Sequence, residues 1–397
     1  MLDFMLSRSS FSSALVAGAL IGGGLLALRR GRRQRPDLFP LYRPLHRLLE
    51  PTSPCQLAVV FNPSKERTEA VGQIIMEAVV AANWPKPRFY ETSPADAGFA
   101  AAQQAVAEGA DLVLAVGGDG TVRAVADALA ASGVPLGVVP LGTGNLLARN
   151  LGMSVADLHS CVNIALHGQA QAVDMIELDF LPPSPRFAGR GCLPQGPVRF
   201  LVMGGAGFDA QIMTDTREDL KARIGWLAYV EASFRHLLSR RRPALISVDG
   251  APFVRRKVRA VLLANTGKIQ GGVQLASVAQ LSDGQLETVV LSPRNLTSWA
   301  RLVLEFALGS HSPRFPVVEH FVGSEVEVRF PAAPLPVEVD GDVLGEVGGL
   351  RARVLPGAVL VQSYPDSLRV RTLGDAFEAR EALLEQNHRW WQKVLNL

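Results

Sequence analysis

Leu112-Val113-Leu114-Ala115-Val116-Gly117-Gly118-Asp119-Gly120-Thr121 decides how this 397-residue chain is read. Five apolar residues in a row suit a strand buried on both faces, as in a parallel sheet. The glycines end that strand, and Val122–Ala131 has helical spacing. A strand that breaks into glycines and opens into a helix presents bare backbone N–H groups to an anion. Asp119 is the informative residue. A carboxylate beside phosphates repels them unless a cation lies between, or unless it helps activate an attacking hydroxyl. The G-x-x-x-x-G-K-[ST] pattern is absent, so this is not a Walker loop. Taken by itself, the glycine run is equally a simple structural turn.

The neighbouring segments repeat the pattern. Leu57–Phe61 is a short apolar run that ends at Asn62-Pro63-Ser64-Lys65, a polar turn in which Lys65 suits a phosphate counter-charge or a solvated surface position. Helical spacing follows over 67–82, a second strand over Arg88–Glu91, and an alanine-rich helix over 95–108. Val134–Val139 is a fourth strand, followed by Pro140-Leu141-Gly142-Thr143-Gly144-Asn145. Thr143 and Asn145 suit phosphate or sugar contacts, and Asn145 equally suits a helix cap. Alternating strands and helices predict a parallel sheet with helices on both faces, with ligands beyond the carboxyl ends of its strands. Both glycine-rich loops fall at that edge.

Beyond residue 172 valine-rich runs with short turns dominate, at 198–203, 244–248, 256–264, 286–291, 325–330, 335–339 and 351–361. They predict a mostly antiparallel β domain, with a surface loop over 181–197 and helices near 217–238 and 296–308. The expected organisation is an anchor with a basic flank (1–35), a proline-rich linker (36–54), an α/β domain (55–172), a β-sandwich (173–363) and an amphipathic tail (364–397). In the tail, packing on the body is the plainer reading of the Trp390-Trp391 pair, and a bilayer interface the other.

The formal net charge of +3 is unevenly placed. Residues 1–50 hold eight Arg and three acids, and the rest of the chain holds 32 basic and 34 acidic residues. A body without positive excess argues against nucleic-acid binding. Arg240-Arg241-Arg242 and Arg255-Arg256-Lys257 read as solvated faces that could also meet anionic lipid. Three cysteines, odd in number and irregularly spaced, suggest neither a disulfide scaffold nor a zinc site, and fit a reducing compartment. Ser9–Leu28 carries no charge over 20 residues, long enough for a membrane helix. Arg8 precedes it, and Arg29, Arg30, Arg32, Arg33 and Arg35 follow, which predicts a single-pass span with the body on the cytoplasmic face. A surface-lying helix and a cleaved signal are the competing readings. Gly18 and Gly22 have G-x-x-x-G spacing, which is ordinary in membrane helices and also admits a homodimer.

The loops Asn62-Pro63, Gly117-Gly118-Asp119-Gly120-Thr121 and Pro140–Asn145 resemble the catalytic domain of the diacylglycerol kinase-like lipid kinases. Gly207-Phe208-Asp209, Asn265-Thr266-Gly267 with Gly271-Gly272, Ser282-Asp283-Gly284 and Asp340-Gly341-Asp342 continue the resemblance in order. It implies ATP- and Mg²⁺-dependent phosphoryl transfer to a lipid hydroxyl, with a membrane as the substrate's source. On that resemblance Asn62, Ser64, Lys65, Thr92, Gly117, Gly118, Asp119, Gly120, Thr121, Gly142, Thr143, Gly144 and Asn145 would hold the nucleotide. Asp283, with the backbone carbonyls of Gln280 and Gln285, would hold the metal, an all-oxygen set suited to a hard cation. The family's Asp-Gly-Glu turn supplies a general base, and here it reads Asp340-Gly341-Asp342. Asp342 is one methylene short, so the backbone compensates, or Asp340, Asp342 and Glu346 share the role, or the enzyme is slow; Asp342, Asp119 and Asp340 are the catalytic candidates. Read from spacing, Asp283-Gly284 and Asp340-Gly341 are also simple hairpin turns. Leu146 departs from the family too, where Asp often follows the Gly-Asn. A soluble-substrate kinase of the NAD kinase type shares the Gly-Gly-Asp-Gly motif. A membrane-bound nucleotide sensor with weak catalysis is the third reading, and Asp342 and Leu146 are its support.

Overall fold

The computed structural model describes residues 56–187, 196–207, 241–267, 280–295, 297–298, 317–340 and 342–364. Through the first half, strand and helix alternate: β1 (Leu57–Phe61), α1 (Thr68–Ala81), β2 (Arg88–Glu91), α2 (Phe99–Ala107), β3 (Leu112–Gly117), α3 (Asp119–Leu129), β4 (Leu136–Pro140), α4 (Leu146–Asn150) and α5 (Leu158–His167). The four strands run parallel in the order β2-β1-β3-β4.

Successive strand residues point to opposite faces, so an unbroken apolar run feeds two cores. Ala58, Val60, Val113 and Ala115 pack with Ala102 and Ala105 of α2 and with Val122 and Val125 of α3. Leu57, Val59, Leu112, Leu114 and Val116 pack with Val71, Ile75 and Val79 of α1 and with Val162 and Leu166 of α5. Helices therefore cover both faces, as the alternation predicts.

The second half adds β5 (Gln169–Leu181), β6 (Val198–Phe200), β7 (Met203–Ala206), β8 (Arg242–Val248), β9 (Val254–Val258), β10 (Ala260–Ala264), β11 (Leu286–Leu291), β12 (Val318–Gly323), β13 (Glu325–Arg329), β14 (Leu335–Val339), β15 (Asp342–Val347) and β16 (Gly349–Ser363). One sheet of six strands has the order β12-β11-β10-β7-β14-β15. The other continues the parallel sheet, running from β4 to β16, β13, β8 and β9. Between them Ile176, Phe200, Ile246, Val261, Val290, Val328, Val337 and Leu350 form a buried core. The architecture is an α/β half joined to a β-sandwich.

The junction is hydrogen-bonded sheet. β16 pairs in parallel with β4 through Val361 and Leu136 and runs antiparallel to β5 and β13. Periodicity finds the core of β16 but not β5, whose apolar run is interrupted by Asp174, Glu177 and Asp179.

The single-pass localisation is corrected. Among the described residues no helix is long and apolar enough to cross a membrane. Ser9–Leu28, on which that expectation rested, lies outside the described residues, as do the proline-rich linker, the tail beyond Tyr364 and the helix expected near 217–238.

Candidate active site

β3 and β4 end side by side, which sets their two loops against each other. Leu141 donates its N–H to the carbonyl of Gly117 at 2.7 Å. The loops then touch backbone to backbone: a Cβ added to Gly142 would fall 2.7 Å from the Cα of Gly118. One added to Gly117 would meet the Thr121 side chain at 2.7 Å, and one added to Gly144 would meet Asp119 Oδ2 at 2.6 Å. These glycines are required by close approach, since each missing side chain is replaced by a neighbouring loop atom.

Asp119 is not in the loop itself. It is the first residue of α3, whose N-cap is Gly118 in extended backbone. Its Oδ2 accepts the N–H of Asn145 at 2.8 Å, and its Oδ1 accepts the N–H of Leu146 at 2.6 Å. The carboxylate at the start of α3 therefore caps the helix that follows the second loop. Burial pushes its pKa up, and the two backbone N–H groups oppose that rise. Both carboxylate oxygens of Asp119 are thus occupied by backbone N–H groups of the second loop and its helix.

Asn145 stands at the N-cap of α4 in left-handed backbone (φ 49°) but makes no side-chain cap. Its Oδ1 accepts the N–H of Gly142 at 2.8 Å, and its Nδ2 donates to the Gly142 carbonyl at 2.7 Å. That reciprocal pair closes the Gly142-Thr143-Gly144 loop into a ring. Thr143 sits on its exposed rim.

The third turn is ordered in the same way. Asn62 Oδ1 accepts the N–H of Ser64 at 2.9 Å, and Asn62 N–H donates to the Val116 carbonyl at 3.1 Å. Lys65 is exposed beyond it. Thr92 follows β2 and donates its N–H to the Phe61 carbonyl at 2.9 Å. Turns after all four parallel strands therefore share one edge.

The sandwich supplies the opposing wall. Asp340, in left-handed backbone (φ 47°), donates its N–H to the Met203 carbonyl at 2.8 Å and accepts the Met203 N–H on Oδ1 at 3.0 Å. Desolvation raises its pKa to about 7, the Met203 N–H and Arg123 oppose this, and Asp119 and Asp342 add to it. Asp342 Oδ2 accepts from Arg123 of α3 at 2.6 Å and lies 3.6 Å from the position a Cβ of Gly120 would take. Asp342 of the sandwich is thus placed beside the first turn of the helix that follows the glycine loop. The first N–H groups of that helix form a ready anion site.

Asp283 is apart from this group. It is exposed, and its Oδ1 accepts the N–H of Gln285 at 3.0 Å within its own turn. Among the described residues no three His, Cys, Asp or Glu side chains group to hold a metal. The donors expected there are one carboxylate and the carbonyls of Gln280 and Gln285, a set that fits a hard cation.

Three residues escaped the sequence reading. Asp174 is buried, and its two carboxylate oxygens accept the N–H groups of Gly284 and Gly357, each at 2.7 Å, so it fixes the Asp283 turn to β16. Asn150 of α4 bonds Thr266, which joins the two halves of the cleft. Arg123 bridges Asp342 and, at 3.4 Å, the Val339 carbonyl. Only Arg123 left a signal in sequence, since it lies four residues after Asp119 and so on the same helix face. Of the two basic runs, Arg255 and Lys257 are exposed on β9, and Arg256 is paired with Glu319 at 2.6 Å.

Two family models match the chain in order. The diacylglycerol kinase catalytic domain matches residues 56–178, and the YegS C-terminal NAD kinase beta sandwich-like domain matches residues 203–363. A diacylglycerol kinase of Bacillus subtilis (strain 168) is 27% identical over 258 residues, which span 64% of this chain and 79% of that protein. A Pectobacterium atrosepticum protein named "Probable lipid kinase YegS-like" is 32% identical over 209 residues, 50% of this chain and 63% of that protein. Among solved structures, a diacylglycerol kinase from Bacillus anthracis str. Sterne has a TM-score of 0.57 at 17% identity, covering 79% of this chain and 99% of that one, a likeness of fold.

Proposed function

The chain belongs to the diacylglycerol kinase catalytic-domain family, and from that premise we propose that it transfers the terminal phosphoryl group of ATP to the hydroxyl of diacylglycerol or a related lipid alcohol. One observation carries this reading: two glycine-rich loops, locked together by Asp119, lie against Asp342 of the Asp340–Asp342 turn. The loops suit a polyphosphate, and the turn suits a hydroxyl that must lose a proton.

Catalysis of this kind is mostly positioning and charge neutralisation. The glycine loops and the first turn of α3 bind and orient the phosphates. Lys65 and Thr143 meet the nucleotide from the rim, and Thr92 lies at the neighbouring turn. Asp283 with the carbonyls of Gln280 and Gln285 would hold a hard cation such as Mg²⁺, whose chemistry would be charge neutralisation. A carboxylate of the Asp340–Asp342 turn takes the acceptor's proton. A membrane is the source of such an acceptor.

The test is incubation of the purified chain with ATP, Mg²⁺ and a bacterial lipid extract, with NAD as a parallel acceptor, followed by mass detection of products. A lipid gaining one phosphate supports the reading. Phosphorylation of NAD alone, or ATP binding without any product, overturns it.

A further inference from the structure

Two carboxylates of one turn face the same cleft, but the protein holds them differently. Asp342 Oδ2 is engaged by Arg123 at 2.6 Å, and the guanidinium is held from behind by the Val339 carbonyl at 3.4 Å. The Arg123 side chain is only 17% exposed, against 54% for that of Asp342, so the cation is the fixed member of the pair. Asp340 has no such partner. Its Oδ1 accepts a neutral backbone N–H from Met203, and its Oδ2 makes no hydrogen bond among the described residues.

We propose that Arg123 is a positioning residue of the transfer site, holding Asp342 tethered so that Asp340 takes the acceptor's proton. This rests on the lipid kinase reading above. In the step itself, the acceptor O–H proton moves to Asp340 Oδ2. The acceptor oxygen uses the freed electron pair to bond the terminal phosphorus of ATP, and the bond from that phosphorus to the bridging oxygen breaks, leaving its electrons on ADP. Asp340 then releases the proton to solvent.

A tethered, charge-paired carboxylate is a poor proton acceptor, because protonation must first displace a guanidinium. A carboxylate whose pKa lies near the operating pH is a good one, and burial puts Asp340 at about 7. The charged groups that face Asp340 are Arg123 and Asp119 from α3 and Asp342 from β15, with Glu338 two residues earlier on its own strand. From the strand that bonds it, β7, Met203 approaches through its backbone N–H and carbonyl. The Arg123 charge lowers the Asp340 pKa, and the Asp342 charge raises it.

Those opposite signs make the test. The pH profile of kcat/KM for lipid phosphorylation is measured for the wild type, Arg123→Gln, Arg123→Lys, Asp342→Asn and Asp340→Asn. Arg123→Gln is expected to move the acid limb to higher pH, Asp342→Asn to move it lower, and Arg123→Lys to keep it near the wild-type position. Asp340→Asn is expected to lose about 10²–10⁴-fold, the usual contribution of a general base. A merely structural Arg123 would lower the rate at every pH and leave the limb in place, and that result overturns the proposal. So does an Asp342→Asn loss that exceeds the Asp340→Asn loss. Carboxyl ¹³C titration of Asp340 in the same variants reads the same shifts without turnover. If the wild type phosphorylates no lipid, the kinase reading fails, and titration still decides whether Arg123 divides the two carboxylates.

Discussion

The two walls of the cleft are held by different physics. The nucleotide wall is closed by backbone: Asp119 accepts two main-chain N–H groups, Asn145 pairs twice with Gly142, and Gly118 lies against Gly142 with no side chain between. The sandwich wall, which faces the acceptor on the proposed reading, is held by charge, through Arg123, Asp342 and the half-buried Asp340. Backbone closure tolerates no added atom. Charge closure tolerates isosteric change but moves with pH. The difference suits the division of labour, since a phosphate cradle has to keep its shape, whereas a proton acceptor has to titrate.

The sharpest way to break the first wall is Gly142→Ala. The new methyl would face the Gly118 backbone at 2.7 Å, which cannot turn aside as a side chain can. Overpacking of this kind costs about 1–3 kcal/mol, and here it falls on the loop contact itself. ATP affinity is expected to drop by about tenfold or more, read by calorimetric titration, with the fold retained by circular dichroism.

The second wall is sharpened by Asp340→Asn, read as stability instead of rate. The Asp340 pKa is raised from 3.8 to about 7, so the folded state holds this proton more tightly than the unfolded chain. Its favourable contribution is therefore complete below the unfolded value and is lost as pH rises toward 7. The variant removes that titration. It should be more stable than the wild type at pH 8, by up to about 4 kcal/mol, and the gain should vanish near pH 4. Urea unfolding at the two pH values checks this, and an equal difference at both would contradict it.

The smallest effect belongs outside the cleft. On the outer face of the long sheet, Glu327 pairs with Arg329 at 2.5 Å and with Arg351 at 2.8 Å, and Arg329 also lies over the Phe253 ring. The Arg329 and Arg351 side chains are about half exposed. Exposed pairs of this sort contribute up to about 1 kcal/mol. Arg329→Ala should shift the urea midpoint slightly and leave ATP binding unchanged.

Much of this was legible in the sequence, for local reasons. β1, β2, β11 and β14 have the limits their apolar runs predict, because each run is bounded by turn residues within the same short window. The helix after the glycine loop begins three residues earlier than its apolar spacing suggests, since Asp119, Gly120 and Thr121 form its first turn without apolar side chains of their own. What was not legible depends on distant partners. Arg123 and Asp342 are 219 residues apart, and Asp174 meets Gly284 and Gly357 across 110 and 183 residues. The motif Gly-Gly-Asp-Gly-Thr announces a phosphate loop, but only the fold shows that its carboxylate caps the neighbouring helix. In the same way, nothing local to Asp340-Gly341-Asp342 shows that Arg123, 219 residues away, bonds Asp342.

The central claim, phosphoryl transfer across this cleft, is tested most directly with ATP carrying ¹⁸O on its terminal phosphate and a diacylglycerol acceptor. The account predicts a phospholipid product that bears the three labelled non-bridging oxygens on a bond to the acceptor's own unlabelled oxygen, with formation strongly reduced in Asp340→Asn. Label appearing only in free phosphate, with no phosphorylated lipid from the wild type, would contradict it.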